Sequence, residues 1–381
     1  MRRTLLACVA AVPLAVALSV VAIPAQAGTY VPLTAVTGQV VPGQYIVTLM
    51  AGVSGVSAAG ITPRHVYGTA LNGFAAQLDA AQLRALQRDA NVAAIEQDQV
   101  VHATVTQSPT PSWGIDRIDQ RNLPLSNSYR YNANGAGITA YIIDTGIDPS
   151  HPNFGGRAAV AYDALGGNGI DCHGHGTHVA GTIGSAAYGV AKGVALRGVR
   201  VLNCAGSGSF ADVIEGIDWV AANSPGPSVA NMSLGGGFSS AVNSATANLS
   251  NSGVSVAVAA GNSAADACTF SPASTPQAIT AAASASNDTS ASFTNRGSCV
   301  DLYGPGVSIT STYLGGGTAV FSGTSMASPH VAGVAAIYKQ VNGDQPSNKV
   351  QNWIRNRATV GVLTGVPANT PNLLLFKRPA L

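Results

Sequence analysis

The order of apolar and polar positions divides the chain into two parts. Between Val41 and Val101, the strand-like runs "GQYIVTL" and "VAAIEQDQVV" flank the amphipathic helix pattern "AAQLRALQRD". This mixture of periods within a short segment predicts a small α+β domain. The segment "HATVTQSPTPSWG" that follows is rich in Thr, Ser and Pro, which is typical of an exposed linker.

The second part alternates nearly continuous apolar runs with helical patterns. The predicted strands are "GITAYIID", "VALRGVRVL", "SVANMSL", "VSVAVAAG" and "AITAAAS". The predicted helices are "HGTHVAGTIGSAA", "FADVIEGIDWVAAN", "SSAVNSATANLSNSG" and "SPHVAGVAAIYKQV". The pattern predicts an α/β fold, a doubly wound and mostly parallel sheet with helices on both faces. Active sites of such sheets lie beyond the carboxyl ends of the strands.

The N-terminus predicts export. Arg2 and Arg3 precede a long apolar run that ends on the small-x-small sequence Ala25-Gln26-Ala27. This order indicates a cleaved signal peptide over residues 1–27 and a secreted, extracellular product. A retained membrane anchor is the alternative, because the run approaches the length that spans a bilayer, but the cleavage sequence favours removal.

Composition narrows the possible partners. The 381 residues are 46% hydrophobic, which is enough for a substantial core, and only 9% are charged, with a net charge of +2. So few charges imply no large basic surface. We therefore expect neither nucleic acid nor an anionic membrane as a stable partner.

Four cysteines remain once the signal peptide is removed: Cys172, Cys204, Cys268 and Cys299. An even number in an exported chain predicts disulfides, and four cysteines allow three pairings. A zinc site is the weaker alternative, because these cysteines lack the close spacing that zinc sites favour.

Polar residues that can carry out chemistry follow several of the predicted strands. Asp144 ends "AYIID", Asn262 follows "VSVAVAAG", His175 lies in "DCHGHGTHVAGT", and Ser325 stands near the start of the last strong helix. Each of them alone would pass as a turn or cap residue. Together, in the chain order Asp, His, Ser, they predict the triad of a serine hydrolase.

Two other enzyme classes compete with this prediction. The spacing does not decide among His173, His175 and His178, and His173 with His175 and a carboxylate would also suit a metal-dependent hydrolase. An α/β-hydrolase esterase needs a histidine well downstream of its serine. Only His330 follows Ser325, inside the same predicted helix, so the esterase interpretation fails.

The blocks "IIDTGID", "HGTHVAGTI", "AAGN" and "GTSMASPHVAG" resemble the signature blocks of the subtilisin-like serine proteases. The likeness is greatest to the proteinase K branch and its aqualysin-type members. It implies Asp144 as the orienting carboxylate, His175 as general base, Ser325 as nucleophile and Asn262 as oxyanion-hole donor. An inactive member acting as a binding protein would lack a triad residue, and none is missing.

The resemblance also implies a substrate cleft for polypeptides, and we expect a monomeric enzyme of broad specificity. Its residues would be Gly206, Ser207 and Gly208 along an edge strand, and Ser233, Leu234, Gly235, Gly236, Ala259, Ala260 and Gly261 in the S1 walls. Because these walls carry no charge, we expect apolar and aromatic P1 residues.

Structural calcium and both disulfides are implied in the same way. Matched to the family, Pro276, Ala278 and Asp301 would form one calcium site, and a second would use Asp116, Asp119, Gln120, Ser126 and Ser128. Oxygen ligands suit this hard cation. The cysteines would pair in sequence order, Cys172 with Cys204 and Cys268 with Cys299.

The small α+β domain resembles an inhibitory propeptide that also assists folding. It would span residues 28–102, with maturation between His102 and Thr106, and the peptidase domain would span residues 103–381. A parallel sheet depends on long-range pairing and folds slowly, which gives a folding template a physical purpose.

Overall fold

A computed structural model describes residues 30–36, 40–53, 60–99 and 105–378. The chain separates into two compact units, residues 1–101 and residues 102–381. The predicted signal peptide and residues 102–104 of the predicted maturation region lie outside the described residues. Among the residues that are described, no helix combines the length and apolar character needed to cross a membrane.

The first unit is a five-stranded sheet with one helix. Its elements are β1 (Leu33–Thr34), β2 (Val40–Leu49), β3 (Pro63–Tyr67), β4 (Gly73–Gln77), α1 (Ala80–Leu86) and β5 (Val92–Gln99). The strand order is β1-β5-β2-β4-β3, and only β1 and β5 pair in parallel. A capping box of Asp79 and Gln82 starts the helix, whose Leu86 packs with Val47, Phe74 and Ile95. The predicted α+β unit is confirmed.

The second unit contains the remaining elements. Its strands are β6 (Val105–Gln107), β7 (Tyr129–Tyr131), β8 (Thr139–Asp144), β9 (Ala158–Asp163), β10 (Ala195–Arg200), β11 (Ser228–Met232), β12 (Gly236–Gly237), β13 (Ser255–Ala259), β14 (Phe270–Ser271), β15 (Ile279–Ser284), β16 (Leu302–Pro305), β17 (Ile309–Thr312), β18 (Thr318–Phe321), β19 (Thr359–Val360) and β20 (Leu373–Leu374). Its helices are α2 (Trp113–Ile118), α3 (His175–Gly184), α4 (Phe210–Asn223), α5 (Ser240–Asn251), α6 (Thr324–Asn342) and α7 (Ser347–Arg357).

The central sheet of this unit has nine strands in the order β19-β20-β16-β15-β13-β11-β8-β10-β9. All neighbouring pairs are parallel except β19 with β20. Val179 of α3 and Val331 of α6 pack in one apolar cluster, whereas Val213 of α4 and Leu249 of α5 pack in another. The predicted doubly wound α/β fold is therefore confirmed.

The strand order reverses at β8. The chain continues from β8 to β9 and β10 on one side of it, and then returns to build β11 on the other side. A crevice opens at such a switch point, beyond the carboxyl ends of the strands. Asp144, the last residue of β8, lies at this crevice.

A buried ion pair ties α2 to the turn that follows β15. Arg117 is fully buried, and its guanidinium donates to both carboxylate oxygens of Asp288, Nε to Oδ1 at 2.7 Å and Nη2 to Oδ2 at 2.9 Å. It also donates to the carbonyls of Gln120 and Arg121. These partners satisfy a charge that would be costly to bury alone.

Two disulfides connect loops of this unit. Cys172 is bonded to Cys204 and Cys268 to Cys299, across separations of 32 and 31 residues. These pairs follow the sequence order that the resemblance implies.

Candidate active site

Asp144 and His175 meet at the crevice. His175 Nδ1 lies 2.7 Å from Asp144 Oδ1, an oxygen that also accepts a hydrogen bond of 2.7 Å from the Thr145 amide. Asp144 is fully buried, while the His175 side chain keeps 21% of its surface exposed. A buried carboxylate behind one imidazole nitrogen leaves the other nitrogen available to a substrate or nucleophile.

The first residue of α3 is His175 because Gly174 can end the preceding turn. Gly174 has φ +98°, a conformation that favours glycine, and a Cβ at this position would collide with the Tyr313 ring. The Tyr313 hydroxyl donates to the carbonyl of His173 at 3.1 Å. The histidine is therefore presented by a turn that is closely packed on its outer side.

A second buried carboxylate, Asp171, organises the same turn. Its Oδ1 accepts from the amides of His173 at 2.9 Å and Gly174 at 2.8 Å, and its Oδ2 accepts from the amide of Thr177 at 2.8 Å and its hydroxyl at 2.6 Å. The Thr145 hydroxyl donates to Asp171 Oδ1 and accepts from the Gly176 amide. Thr145 thus links the end of β8 to the start of α3.

Ser325 lies in the first turn of α6, next to Ser233. Pro329 has no N–H to donate to the carbonyl of Ser325 four residues earlier, and the Ser233 hydroxyl donates to it at 2.8 Å instead. The Ser325 hydroxyl in turn donates to the Ser233 carbonyl at 3.1 Å. This reciprocal pair fixes the helix start beside the segment that follows β11.

The Asn262 side chain has a defined orientation. Its Oδ1 accepts from the Thr324 amide at 2.8 Å and from the Thr324 hydroxyl at 2.9 Å. Asn295, which is fully buried, holds the loop through its side chain, because it donates to Ala260 O and accepts from the amide of Ser263. Because Oδ1 is engaged by Thr324, Nδ2 is the end of the Asn262 carboxamide that remains to donate to another group.

Electrostatics distinguish the histidines. Burial lowers the pKa of His175, but the charge and hydrogen bond of Asp144 and the charge of Asp171 raise it more, so the pKa is raised overall. Burial lowers the pKa of His178 to about 4, and its Nε2 lies 3.1 Å from the carbonyls of Ile309 and Ala319. His178 packs behind the crevice.

Two adjoining cavities share Ser233, Leu234 and Gly235. The first has a volume of about 410 Å³ and is lined by His173, His175 and the loop 205–209. The second, of about 280 Å³, contains Gly236, Ala259, Ala260, Gly261, Asn262 and Ser325 in its walls. Gly206, Ser207 and Gly208 form a loop and not the expected edge strand, because Asn203 closes a turn with Gly206 and Ser207.

The expected calcium ligands form two separate groups. Asp116 Oδ1 accepts from the Ser126 hydroxyl at 2.8 Å, and this hydroxyl lies 2.8 Å from that of Ser128. Gln120 Oε1 accepts from the Ser126 amide, and Asp119 Oδ2 accepts from the Arg130 amide. The second group is Pro276, Ala278 and Asp301, whose oxygens already accept from protein donors. Among residues 30–36, 40–53, 60–99 and 105–378, no three His, Cys, Asp or Glu side chains form a metal-binding cluster.

Sequence reasoning missed several residues that position the site: Thr145, Asp171, Thr324 and Asn295. Asp171 and Thr145 stand within a few residues of His175 and Asp144, so proximity was an available signal. Asn295 had none, because its contact with the loop 260–265 is long-range.

Comparison with known proteins gives the family of both units. A model described as "Subtilase family" matches residues 135–373, and one described as "Peptidase inhibitor I9" matches residues 51–104. The chain is 52% identical over 315 residues to the extracellular serine proteinase of Thermus sp. (strain Rt41A), covering 82% of this chain and 77% of that protein.

Two further comparisons point to the same family. The chain is 51% identical over 317 residues to alkaline serine exoprotease A of Vibrio alginolyticus, covering 81% of this chain but only 59% of that longer protein. The crystal structure of a cold adapted subtilisin-like serine proteinase superposes with a TM-score of 0.69 at 52% identity, covering 71% of this chain and 99% of the other.

Proposed function

The chain belongs to the subtilase family of serine proteases, and from that membership we propose that it is a secreted endopeptidase made as a self-processing zymogen. The observation that carries this proposal is the 2.7 Å contact between His175 Nδ1 and Asp144 Oδ1 at the switch point of the sheet. This contact supports a role for His175 as general base, because the buried Asp144 carboxylate orients its imidazole beside the cleft that contains Ser325.

In this mechanism Ser325 attacks the peptide carbonyl. A serine hydroxyl is a weak nucleophile until a neutral imidazole accepts its proton. The Ser325 hydroxyl donates to Ser233 O in this structure, so it has to rotate toward His175 for the attack. Asp144 fixes the tautomer of His175 and stabilises the imidazolium, which then gives its proton to the leaving amine. Water hydrolyses the acyl-enzyme by the reverse sequence.

The oxyanion of the tetrahedral intermediate requires donors that are already in place. Asn262 supplies one through Nδ2, because its Oδ1 is engaged by Thr324. The backbone N–H of Ser325 supplies the second, since the first N–H groups of a helix lack intrahelical acceptors and carry positive partial charge.

The smaller cavity is the proposed S1 pocket. None of the residues that line it is ionisable, and Leu234, Ala259, Ala260 and Phe270 contribute apolar surface. This lining supports a preference for apolar and aromatic P1 side chains. The larger cavity, beside Gly206, Ser207 and Gly208, would receive the residues before P1, with the exposed backbone offering hydrogen bonds to an extended peptide.

The first unit is the proposed inhibitor and folding assistant, over residues 28–102. Its match to an inhibitor family supports this role, and the match ends at residue 104, inside the expected maturation region of residues 102–106. The signal-peptide pattern of residues 1–27 and the extracellular relative support secretion.

Calcium is proposed for the loop that carries Ser126. Carboxylate, amide and hydroxyl oxygens of Asp116, Asp119, Gln120, Ser126 and Ser128 are hard donors, and the short distances among Asp116, Ser126 and Ser128 support their convergence. A bound ion would hold this loop and take no part in peptide hydrolysis.

The test compares the full chain with Ser325→Ala and with the control Ser322→Ala, an exposed serine three residues earlier. We expect the parent and Ser322→Ala to lose about a hundred N-terminal residues and to hydrolyse casein, whereas Ser325→Ala does neither. A serine-directed fluorophosphonate should label only chains that retain Ser325. Casein hydrolysis by Ser325→Ala would refute the proposal and favour a metal-dependent hydrolase.

A further inference from the structure

The oxygens of Pro276, Ala278 and Asp301, which the family resemblance assigns to calcium, already have protein partners. Gln351 Nε2 donates to Pro276 O at 3.2 Å and to Ala278 O at 3.0 Å. Asp301 Oδ2 accepts from the Thr280 amide at 2.8 Å, and Asp301 Oδ1 lies 3.2 Å from Arg355 Nη1.

The Gln351 amide and the Arg355 guanidinium both come from one face of α7. Gln351 and Arg355 are four residues apart, the spacing that places two side chains side by side on a helix. Val350 and Ile354 of the same helix are buried in the core and hold α7 in place. The helix therefore brings an amide and a guanidinium to the same oxygen cluster.

A calcium ion does not fit beside these groups. Calcium lies 2.3–2.6 Å from its oxygen ligands. An ion at that distance from both carbonyl oxygens would occupy the space into which Gln351 Nε2 directs its two hydrogens. The Arg355 guanidinium would add like-charge repulsion next to the carboxylate that the ion needs.

We propose that Gln351 and Arg355 take the place of a bound cation at Pro276, Ala278 and Asp301, so that the loop before β15 is held in place without calcium. The carbonyl dipoles are neutralised by the amide, and the carboxylate is neutralised by the guanidinium. The loop before β15 is then held by α7 at any calcium concentration.

The experiment counts bound calcium in the full chain carrying Ser325→Ala, which prevents self-digestion. Isothermal titration of the calcium-depleted protein gives the number of equivalents, and circular dichroism gives the thermal midpoint with calcium or with EDTA. Asp301→Asn should bind as many equivalents as its parent, and its midpoint should fall by the same amount in both solutions.

The double variant Gln351→Ala/Arg355→Ala should bind one more equivalent of calcium than the parent, because the oxygens of Pro276, Ala278 and Asp301 lose these protein partners. Asn352→Ala/Arg357→Ala likewise removes one carboxamide and one guanidinium, but from exposed positions of α7, and should leave the count unchanged. The proposal is overturned if Asp301→Asn binds one equivalent fewer than its parent, or if the double variant gains none. Neither outcome depends on whether the chain is a protease.

Discussion

The hydroxyl of Thr145 donates a hydrogen bond of 2.9 Å to the carboxylate of Asp171, joining the residue after β8 to the turn before α3. The same hydroxyl accepts from the Gly176 amide at 2.8 Å, while the Thr145 amide donates to Asp144. The aspartate and histidine of the proposed triad lie on different elements, and Thr145 bonds Asp144 at the end of β8 and Gly176, the residue after His175, in α3.

Thr145→Val should lower kcat about tenfold and leave KM nearly unchanged. The substitution keeps the shape of the side chain but leaves the Gly176 amide without its acceptor and removes one of the donors to Asp171, at a cost of about 1–3 kcal/mol. Steady-state kinetics on a chromogenic peptide would measure the change. Thr145→Ser retains the hydroxyl and should stay close to the parent, and equal losses in both variants would contradict this role.

Asn262→Ala should lower kcat by roughly 100- to 1000-fold with little change in KM, the range known for the oxyanion-hole asparagine of subtilisin itself. The reason is that Nδ2 stabilises charge that develops only in the transition state. Because Asn262 also caps Thr324, thermal unfolding of each variant should accompany the kinetics. Asn262→Asp keeps the acceptor oxygen and should be equally slow, so parent-like turnover in either variant would exclude the role.

The acid limb of the pH–activity profile should have its midpoint above pH 6.5, the ordinary histidine pKa, because the pKa of His175 is raised in the folded enzyme. Only the neutral imidazole accepts the serine proton, so activity is present above this pKa and is lost as the pH falls through it. A profile of kcat/KM against pH would give the midpoint.

Replacing Asp171 by Asn should move that midpoint to lower pH, since one of the charges that raises the pKa of His175 is removed. Asp148→Asn, at a partly exposed carboxylate that bonds Ser150, is the matched control and should leave the midpoint where it is. A midpoint that is insensitive to Asp171→Asn would rule out this electrostatic influence.

The two disulfides should have similar effects on stability and different effects on substrate binding. Their separations of 32 and 31 residues correspond to about 3–4 kcal/mol each in the chain-entropy model. Cys172 precedes His173, and Cys204 begins the loop that lines the larger cavity. Cys172→Ser/Cys204→Ser should therefore raise KM for an extended peptide more than Cys268→Ser/Cys299→Ser does. Denaturant unfolding and kinetics would be compared, and equal KM changes would argue against this assignment.

Asp288→Asn should reduce the free energy of unfolding by about 3 kcal/mol, because the buried guanidinium of Arg117 would lose its counter-charge. Asparagine tolerates the φ of +62° at this position, so backbone strain is not added. Urea unfolding would measure the loss. The pair variant Arg117→Met/Asp288→Asn should recover part of it, and a further loss would point instead to the carbonyl contacts of Arg117.

The strand and helix patterns of the second unit were largely predictable, because buried parallel strands appear as continuous apolar runs. The position of Ser325 near the start of α6 was also predictable, but the contacts of Thr324, Ser325 and Ser328 with Asn262, Ser233 and Asn231 were not, because they join segments far apart in the sequence. In the first unit, β3 and β4 were missed because their short segments lack a clear alternation of two.

The triad candidates could be proposed from their places at strand ends and from the family blocks. Their positioning partners could not. Asp171 acts through backbone amides of a tight turn, and Asn295 reaches a loop thirty residues away, neither of which leaves a periodic signature in the sequence. The misfit of Pro276, Ala278 and Asp301 with calcium was likewise hidden, because Gln351 and Arg355 follow them by at least 50 residues.

The two hydrogen bonds from Thr324 to Asn262 Oδ1 also determine which way the carboxamide faces before any peptide arrives. A flipped amide would direct its NH₂ group against a backbone N–H, so only one orientation is compatible with folding. The entropy of aligning the oxyanion donor is therefore lost once, when the protease folds, and not at each turnover. An inhibitor that generates a negative oxygen at this position would meet a donor with almost no freedom left to lose, whereas a neutral ligand of the same shape would gain nothing from it.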